Sequence, residues 1–338
     1  MLIDALLPAG RDDVAEVARD LEQRGYAGAW TSETAHDPFL PLALAARTTR
    51  DLQLGTAIAV AFARSPMTVA GTAHDLQRLT RGRFVLGLGT QVRAHVERRF
   101  SMPWSAPVPR MREYVGALRA VWAAWQDGVP LRFRGEHYRH TLMTPVFSPE
   151  PHEWGAPPVH LAAVGPAMTR LAGEVADGLL VHAFTTARYL AERTLPALEE
   201  GLATGGRLRG DVVVSLPGFV VTGRTEAERA QAADTVRERI AFYGSTPAYR
   251  PVLDLHGWGR LADELHALSV GRDPGRWAAM RDLVDDEVLE AVAVVAAPED
   301  VGTAVRHRFG GLVDRFGVPV GADPDRDPWA ALVATSGR

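Results

Sequence analysis

A chain of 338 residues with 46% hydrophobic content can bury one large α/β core or two ordinary ones, and its net charge of -4 gives no basic footprint for nucleic acid or an anionic membrane. Cysteine is absent, which excludes disulfides, thiolate metal sites and a Cys nucleophile. All 37 basic residues are arginine, so neither a Schiff-base lysine nor a phosphate-gripping lysine is available. The longest clean apolar run, near residues 289–297, falls short of the ~18 residues that span a membrane. The opening MLIDALLPAG carries no basic leader, so the sequence reads as a soluble cytoplasmic protein.

Residues 2–8 predict a first strand. Val14, Val17, Ala18 and Leu21 then fall on one helical face, with Gly25 suited to the position after the helix. Strand 27–32, helix 41–50 and strand 52–60 follow. Ser65-Pro66 supplies an N-cap and a first-turn proline, and Val69, Ala73, Leu76 and Leu79 line a helix that Gly82 stops. The fourth strand is 83–89. Met111, Tyr114, Val115, Leu118, Val121, Trp122 and Trp125 mark an amphipathic helix, and 131–145 reads as a hairpin or ordered insertion. Strands 158–165 and 177–184 flank helix 166–175. Strand 211–223, helix 225–243, an insertion over 246–290, helix 298–308 and strand 313–320 complete the alternation, with 324–338 as a surface tail.

Eight strands alternating with helices demand parallel pairing with helical crossovers, and eight such units favour a closed (β/α)8 TIM barrel over an open doubly wound sheet. The expected organisation is one barrel domain over 1–338 with insertions near 90–108, 127–157 and 246–290. Chemistry in such barrels sits at the C-terminal ends of the strands. The stretch GRFVLGLGTQ does not read as a dinucleotide loop: Gly87-Leu88-Gly89 follows the fourth strand rather than the first, and Val92 stands where a third glycine belongs. Small residues there let a flat ring or a phosphate approach the backbone instead.

The run LQLGTAIAVAFARSPMTVAGTAHDLQRLTRGRFVLGLGTQ resembles the luciferase-like monooxygenase superfamily, in the branch of oxidoreductases that use the deazaflavin coenzyme F420. GYAGAWTSETAHDPFLPLALAA and PPVHLAAVGPAMTRLAGEVADGLLVHAF extend the likeness, which covers about 1–245 and 285–320. The resemblance implies cofactor contacts from Glu33, from Ala57, Ile58 and Val60 at a third-strand bulge, from Thr90, Gln91 and His95 after the fourth strand, and from Val164, Gly165, Ala167 and Met168. It places a non-proline cis peptide at Ala57-Ile58. Independently, the helix opening at Pro166 offers free N–H groups to an anion. The chain departs from the branch's sugar-phosphate dehydrogenases at Thr34 and Val92, where they carry a catalytic His and Glu, so its substrate is a different one.

His182, closing the strand DGLLVH, and His36, beside Asp37, are the candidates for managing a proton, since an unperturbed imidazole titrates near neutrality. His160, inside a strand, reads as barrel-lining packing. Arg93, Arg98 and Arg99 either attract an acidic cofactor tail or solvate the surface. The resulting expectation is an enzyme moving a hydride between C5 of F420 and a small-molecule substrate. The alternatives are a monooxygenase using reduced FMN and O2 or a carrier of either cofactor. No metal is expected, because DALLPAG lacks the clustered ligands of a barrel hydrolase. Ala- and Leu-rich helices 41–50 and 66–80 suggest a homodimer.

Overall fold

The computed structural model describes residues 1–320 and 327–334. Eight strands form its centre: β1 Leu2–Leu6, β2 Gly28–Thr31, β3 Gln53–Thr56, β4 Phe84–Gly89, β5 Val159–Ala163, β6 Gly178–Val181, β7 Val213–Pro217 and β8 Arg315–Pro319. They pair in parallel in the order β3-β2-β1-β8-β7-β6-β5-β4. Pairing of Leu54 with Phe84 joins β4 to β3 and closes the barrel. It is a (β/α)8 barrel, as the alternation predicts, and the parallel strands carry all eight C-terminal ends to one mouth.

Local chemistry accounts for the helix ends. Ser65 Oγ accepts from the Thr68 amide and Pro66 opens the helix Pro66–Leu79. Thr225 and Glu228 form a reciprocal capping box on the helix Glu226–Gly244. Gly25, at φ +90°, ends the helix Val14–Arg24 in the left-handed region.

The Gly-x-Gly of β4 serves strand packing. A Cβ on Gly87 would lie 1.8 Å from the Thr56 carbonyl oxygen, and one on Gly89 would lie 2.8 Å from the Ile58 side chain. Thr56 Oγ1 donates to Gly87 O at 2.7 Å and accepts from Gly87 N at 2.9 Å. These glycines therefore let β3 and its bulge lie against β4.

Three expectations need correction. The third strand stops at Thr56 and resumes as Ala59–Val60, with the Ala57-Ile58 peptide between them cis, where the resemblance put it. The strand foreseen over 211–223 breaks at Gly218, where a Cβ would lie 1.9 Å from the Phe316 ring, and Phe219–Val221 leaves the barrel to pair with Ala293–Val295. The tail foreseen on the surface is partly core in its described residues. Leu332 and Trp329 are buried, and Trp329 Nε1 donates to Pro319 O at 2.8 Å; the remainder of 324–338 lies outside the described residues. Among the described residues no helix is long and apolar enough to cross a membrane.

The segment foreseen as an insertion, 246–290, is mostly helical: Arg250–Leu255, Gly259–Val270, Arg276–Asp282 and the start of Asp286–Val292. It has its own apolar cluster. Leu253, Leu265 and Met280 pack with Ile240 of the preceding helix, with Phe184 from the loop after β6 and with Phe219 from the short strand after β7. The segment is thereby fixed over one side of the mouth.

Candidate active site

The foreseen cofactor residues fall on four consecutive strand ends, β2 to β5, and His182 follows on β6. Glu33, after β2, brackets the bulge after β3. Its amide donates to Ile58 O at 3.0 Å, and its Oε2 accepts from Val60 N at 2.7 Å. The same oxygen pairs with Arg64 Nη1 at 2.6 Å, and Arg64 Nη2 reaches Asp37 at 3.3 Å. The Glu33 carboxylate, 6% exposed, is thus tied down by the protein. The hydrogen bonds of Glu33 to Ile58 and Val60 hold the bulge in place.

At the end of β4, Thr90 Oγ1 donates to Gln91 O, and Gln91, at φ +59°, accepts from the Val92 amide through Oε1. His95 is exposed on the short helix Arg93–Arg98. Arg93 is paired with Glu97, and Arg99 Nη2 donates to Thr34 O, locking the loop after β4 onto the loop after β2. At the end of β5, Val164, Gly165 and Ala167 are exposed and Met168 is half-buried. Gly165 is the N-cap of Pro166–Val175, and no side chain caps that helix. A Cβ on Gly165 would meet nothing within 4 Å, so the space beside this helix N-terminus is open, and the free N–H groups of a first turn suit an anion.

His182 and His36 sit at the ends of β6 and β2, four strands apart in an eight-strand ring and so on opposite sides of the mouth. His36 is exposed, with its ring against Gly10 of the loop after β1. His182 Nδ1 accepts from the Phe184 amide at 3.1 Å. An amide can only donate, so the neutral ring carries its proton on Nε2. Burial pushes its pKa down to about 4, and near neutrality His182 is an uncharged hydrogen-bond donor rather than the titrating group its type suggests. His160 lies in the barrel interior, stacked on Trp30 at 5.9 Å. Its pKa falls to about 4 through burial, reinforced by Arg315.

Two depressed imidazoles make stability pH-dependent. In the unfolded chain both titrate near ~6.5. The folded values lie lower, so the unfolded state takes up protons first, and the stability they confer is complete above pH ~6.5 and is lost as pH falls toward about 4. Each contributes on the order of 3 kcal/mol over that window. Urea midpoints should drop steadily from pH ~7 to ~4.5, with a shallower slope in His160→Phe. A flat profile in the parent chain would contradict this assignment.

Reasoning from sequence missed Arg64, which passes unremarked within the run that carries the resemblance, and the tyrosines Tyr243 and Tyr249 beside His182. Among the described residues, no group of three or more metal-ligating side chains is assembled.

A barrel with this bulge and this open helix terminus defines a class. The sequence profile of luciferase-like monooxygenases matches residues 4–315, and the chain belongs to that family. An uncharacterized protein of Mycobacterium tuberculosis is 54% identical over 313 residues, 93% of this chain and 91% of its own. An F420-dependent glucose-6-phosphate dehydrogenase of Nakamurella multipartita is 30% identical over 308 residues, 87% of this chain and 85% of its own. Among solved structures, the coenzyme F420-dependent tetrahydromethanopterin reductase of Methanopyrus kandleri superposes with a TM-score of 0.79 at 20% identity, over 98% of this chain and 96% of that one.

Proposed function

We propose that this protein is an F420-dependent oxidoreductase acting on a small organic substrate. The observation that carries the reading is the uninterrupted arc from the Glu33-held bulge to the uncapped terminus at Gly165, which offers a platform for a flat ring and a cradle for its phosphate. The relative named as an F420-dependent dehydrogenase supports the choice of cofactor. When bound, the deazaflavin supplies a hydride donor or acceptor at its C5. The chain's own residues do the rest. Ala167 and Met168 amides hold the phosphate, exposed Val92 and Val164 flank the mouth with apolar surface, and Glu33 keeps the bulge in shape. His182 presents Nε2–H to a substrate oxygen, and His36, exposed across the mouth, takes or gives the accompanying proton. Thr34 and Val92 remove the His and Glu of the sugar-phosphate dehydrogenases, so the substrate differs from theirs.

The active form is proposed to be a cytoplasmic homodimer. Leu40 and Leu44 on the helix Leu40–Ala46 are 69% and 51% exposed, and Leu79 ends the neighbouring helix 43% exposed, an apolar face suited to a second copy. Native mass spectrometry with F420 and FMN supplied in equal amounts tests both statements. The expected species is a dimer carrying F420, with Glu33→Ala binding F420 about ten-fold more weakly through the loosened bulge. Retention of FMN alone would favour the oxygen-using reading, and a bare monomer at micromolar concentration would refute the dimer.

A further inference from the structure

His182 is enclosed by aromatic rings from separate parts of the chain. Tyr249 lies 4.4 Å from it, tilted by 32°, and Tyr243 meets it edge-on at 4.5 Å. Phe184 approaches the same two tyrosines at 5.9 Å and 6.4 Å. Tyr243 stands at the end of the helix Glu226–Gly244 that follows β7, and Tyr249 in the turn Pro247–Tyr249 that opens the helical segment over the mouth. That segment is pinned to the loop after β6 by a second contact, Thr186 Oγ1 to His256 Nε2 at 2.9 Å. Thr185 Oγ1, between these contacts in sequence, is buried without a partner.

Charge is missing from this corner. Burial is the one cause of the His182 shift, and Tyr249 is pushed up to about 12 by burial and then by Tyr243, with no cation or carboxylate contributing to either. Several charged groups of the surrounding elements pair with one another: Arg188 with Glu192, Arg250 with Asp254 and Asp263, and Arg237 with Asp234 and Asp286. Across the mouth, Glu33 is neutralised by Arg64. An anion entering beside His182 would lose its hydration without gaining a counter-charge. A flat apolar group would gain burial and ring contacts there.

We infer that Tyr243, Tyr249 and His182 fix the substrate class as an uncharged carbonyl compound, or its alcohol, bearing a flat or cyclic apolar group. The ring packs on the tyrosines and the oxygen accepts from His182 Nε2–H. This rests on the oxidoreductase reading above and adds the substrate to it.

Saturation-transfer NMR on the full chain, with and without F420, provides the test. Benzaldehyde and cyclohexanone are compared with glucose 6-phosphate and levulinate near pH 7. The neutral probes should bind about ten-fold more tightly than either anion. Tyr249→Leu should weaken benzaldehyde about five-fold, and Tyr249→Phe should restore it. Equal or tighter binding of an anion overturns the inference, as does a folded Tyr249→Leu that binds benzaldehyde like the parent. If Tyr249→Leu does not fold, the four-probe comparison on the parent chain decides. A deazaflavin titration separates the two readings. Neutral probes bound to a chain that refuses F420 would sink the cofactor assignment and leave the substrate class standing, whereas a chain that takes F420 and prefers anions would do the reverse.

Discussion

Arg315→Leu will lower the free energy of unfolding by about 3–5 kcal/mol, one of the largest single-residue losses open to this barrel. Arg315 is the first residue of β8, and its Nε and Nη2 donate to the two Asp4 carboxylate oxygens at 2.7 and 2.6 Å. The pair joins the last strand to the first, and both side chains are under a tenth exposed. The guanidinium also lies 5.6 Å from the Trp30 ring centroid, in space left by Gly28, where a Cβ would sit 2.7 Å from Arg315 Nη2. Removing the arginine strands a buried carboxylate. Most of the loss is that stranded charge rather than the net worth of the pair, so Asp4→Leu/Arg315→Leu should recover much of it. Equilibrium unfolding in urea measures both variants. A loss under about 1 kcal/mol for Arg315→Leu would mean that water reaches Asp4 and that the pair is not sealed.

This pair shows what the sequence could and could not reveal. That residues 2–8 and 313–320 are strands follows from their own composition, and that they neighbour one another follows from closing eight βα units. Nothing local to Asp4 names a partner 311 positions away. Glu33 and Arg64 repeat the lesson at the site. The acidic residue at a strand end was legible, while its capture by an arginine 31 residues on depends on how β2 and the bulge meet. The break at Gly218 was hidden because a glycine between apolar runs looks like continuous strand until Phe316 fills the space beside it. The segment 246–290 read only as an insertion for a related reason. Its helices are short, and the apolar partners that order them, Ile240, Phe184 and Phe219, lie on other elements. Tyr249 was overlooked with it. Alternation and strand-end position are local signals and were readable, whereas the pairings that define the site's charge are not local.

His182→Ala will lower kcat by about 100-fold with an uncharged carbonyl substrate, while the F420 affinity stays near that of the parent. On the proposed reading Nε2–H donates to an oxygen that gains negative charge as the hydride moves, so the bond strengthens in the transition state and the loss falls on kcat. The pH dependence identifies the role. With its pKa held down to about 4 by burial, His182 stays neutral from pH ~5.5 upward, and its removal should scale the kcat profile down without shifting any limb. His182→Gln, which keeps an N–H donor, should regain part of the rate, and a proton-carrying role would not be rescued this way. His36 is the opposite case. It is exposed at the far side of the mouth and is the group proposed to carry the proton, so His36→Ala should lower kcat by a similar order and His36→Gln should not rescue it. Should both alanine variants keep full activity with a competent substrate, neither imidazole supplies the proton or the donor, and bulk water or the substrate itself takes over that role.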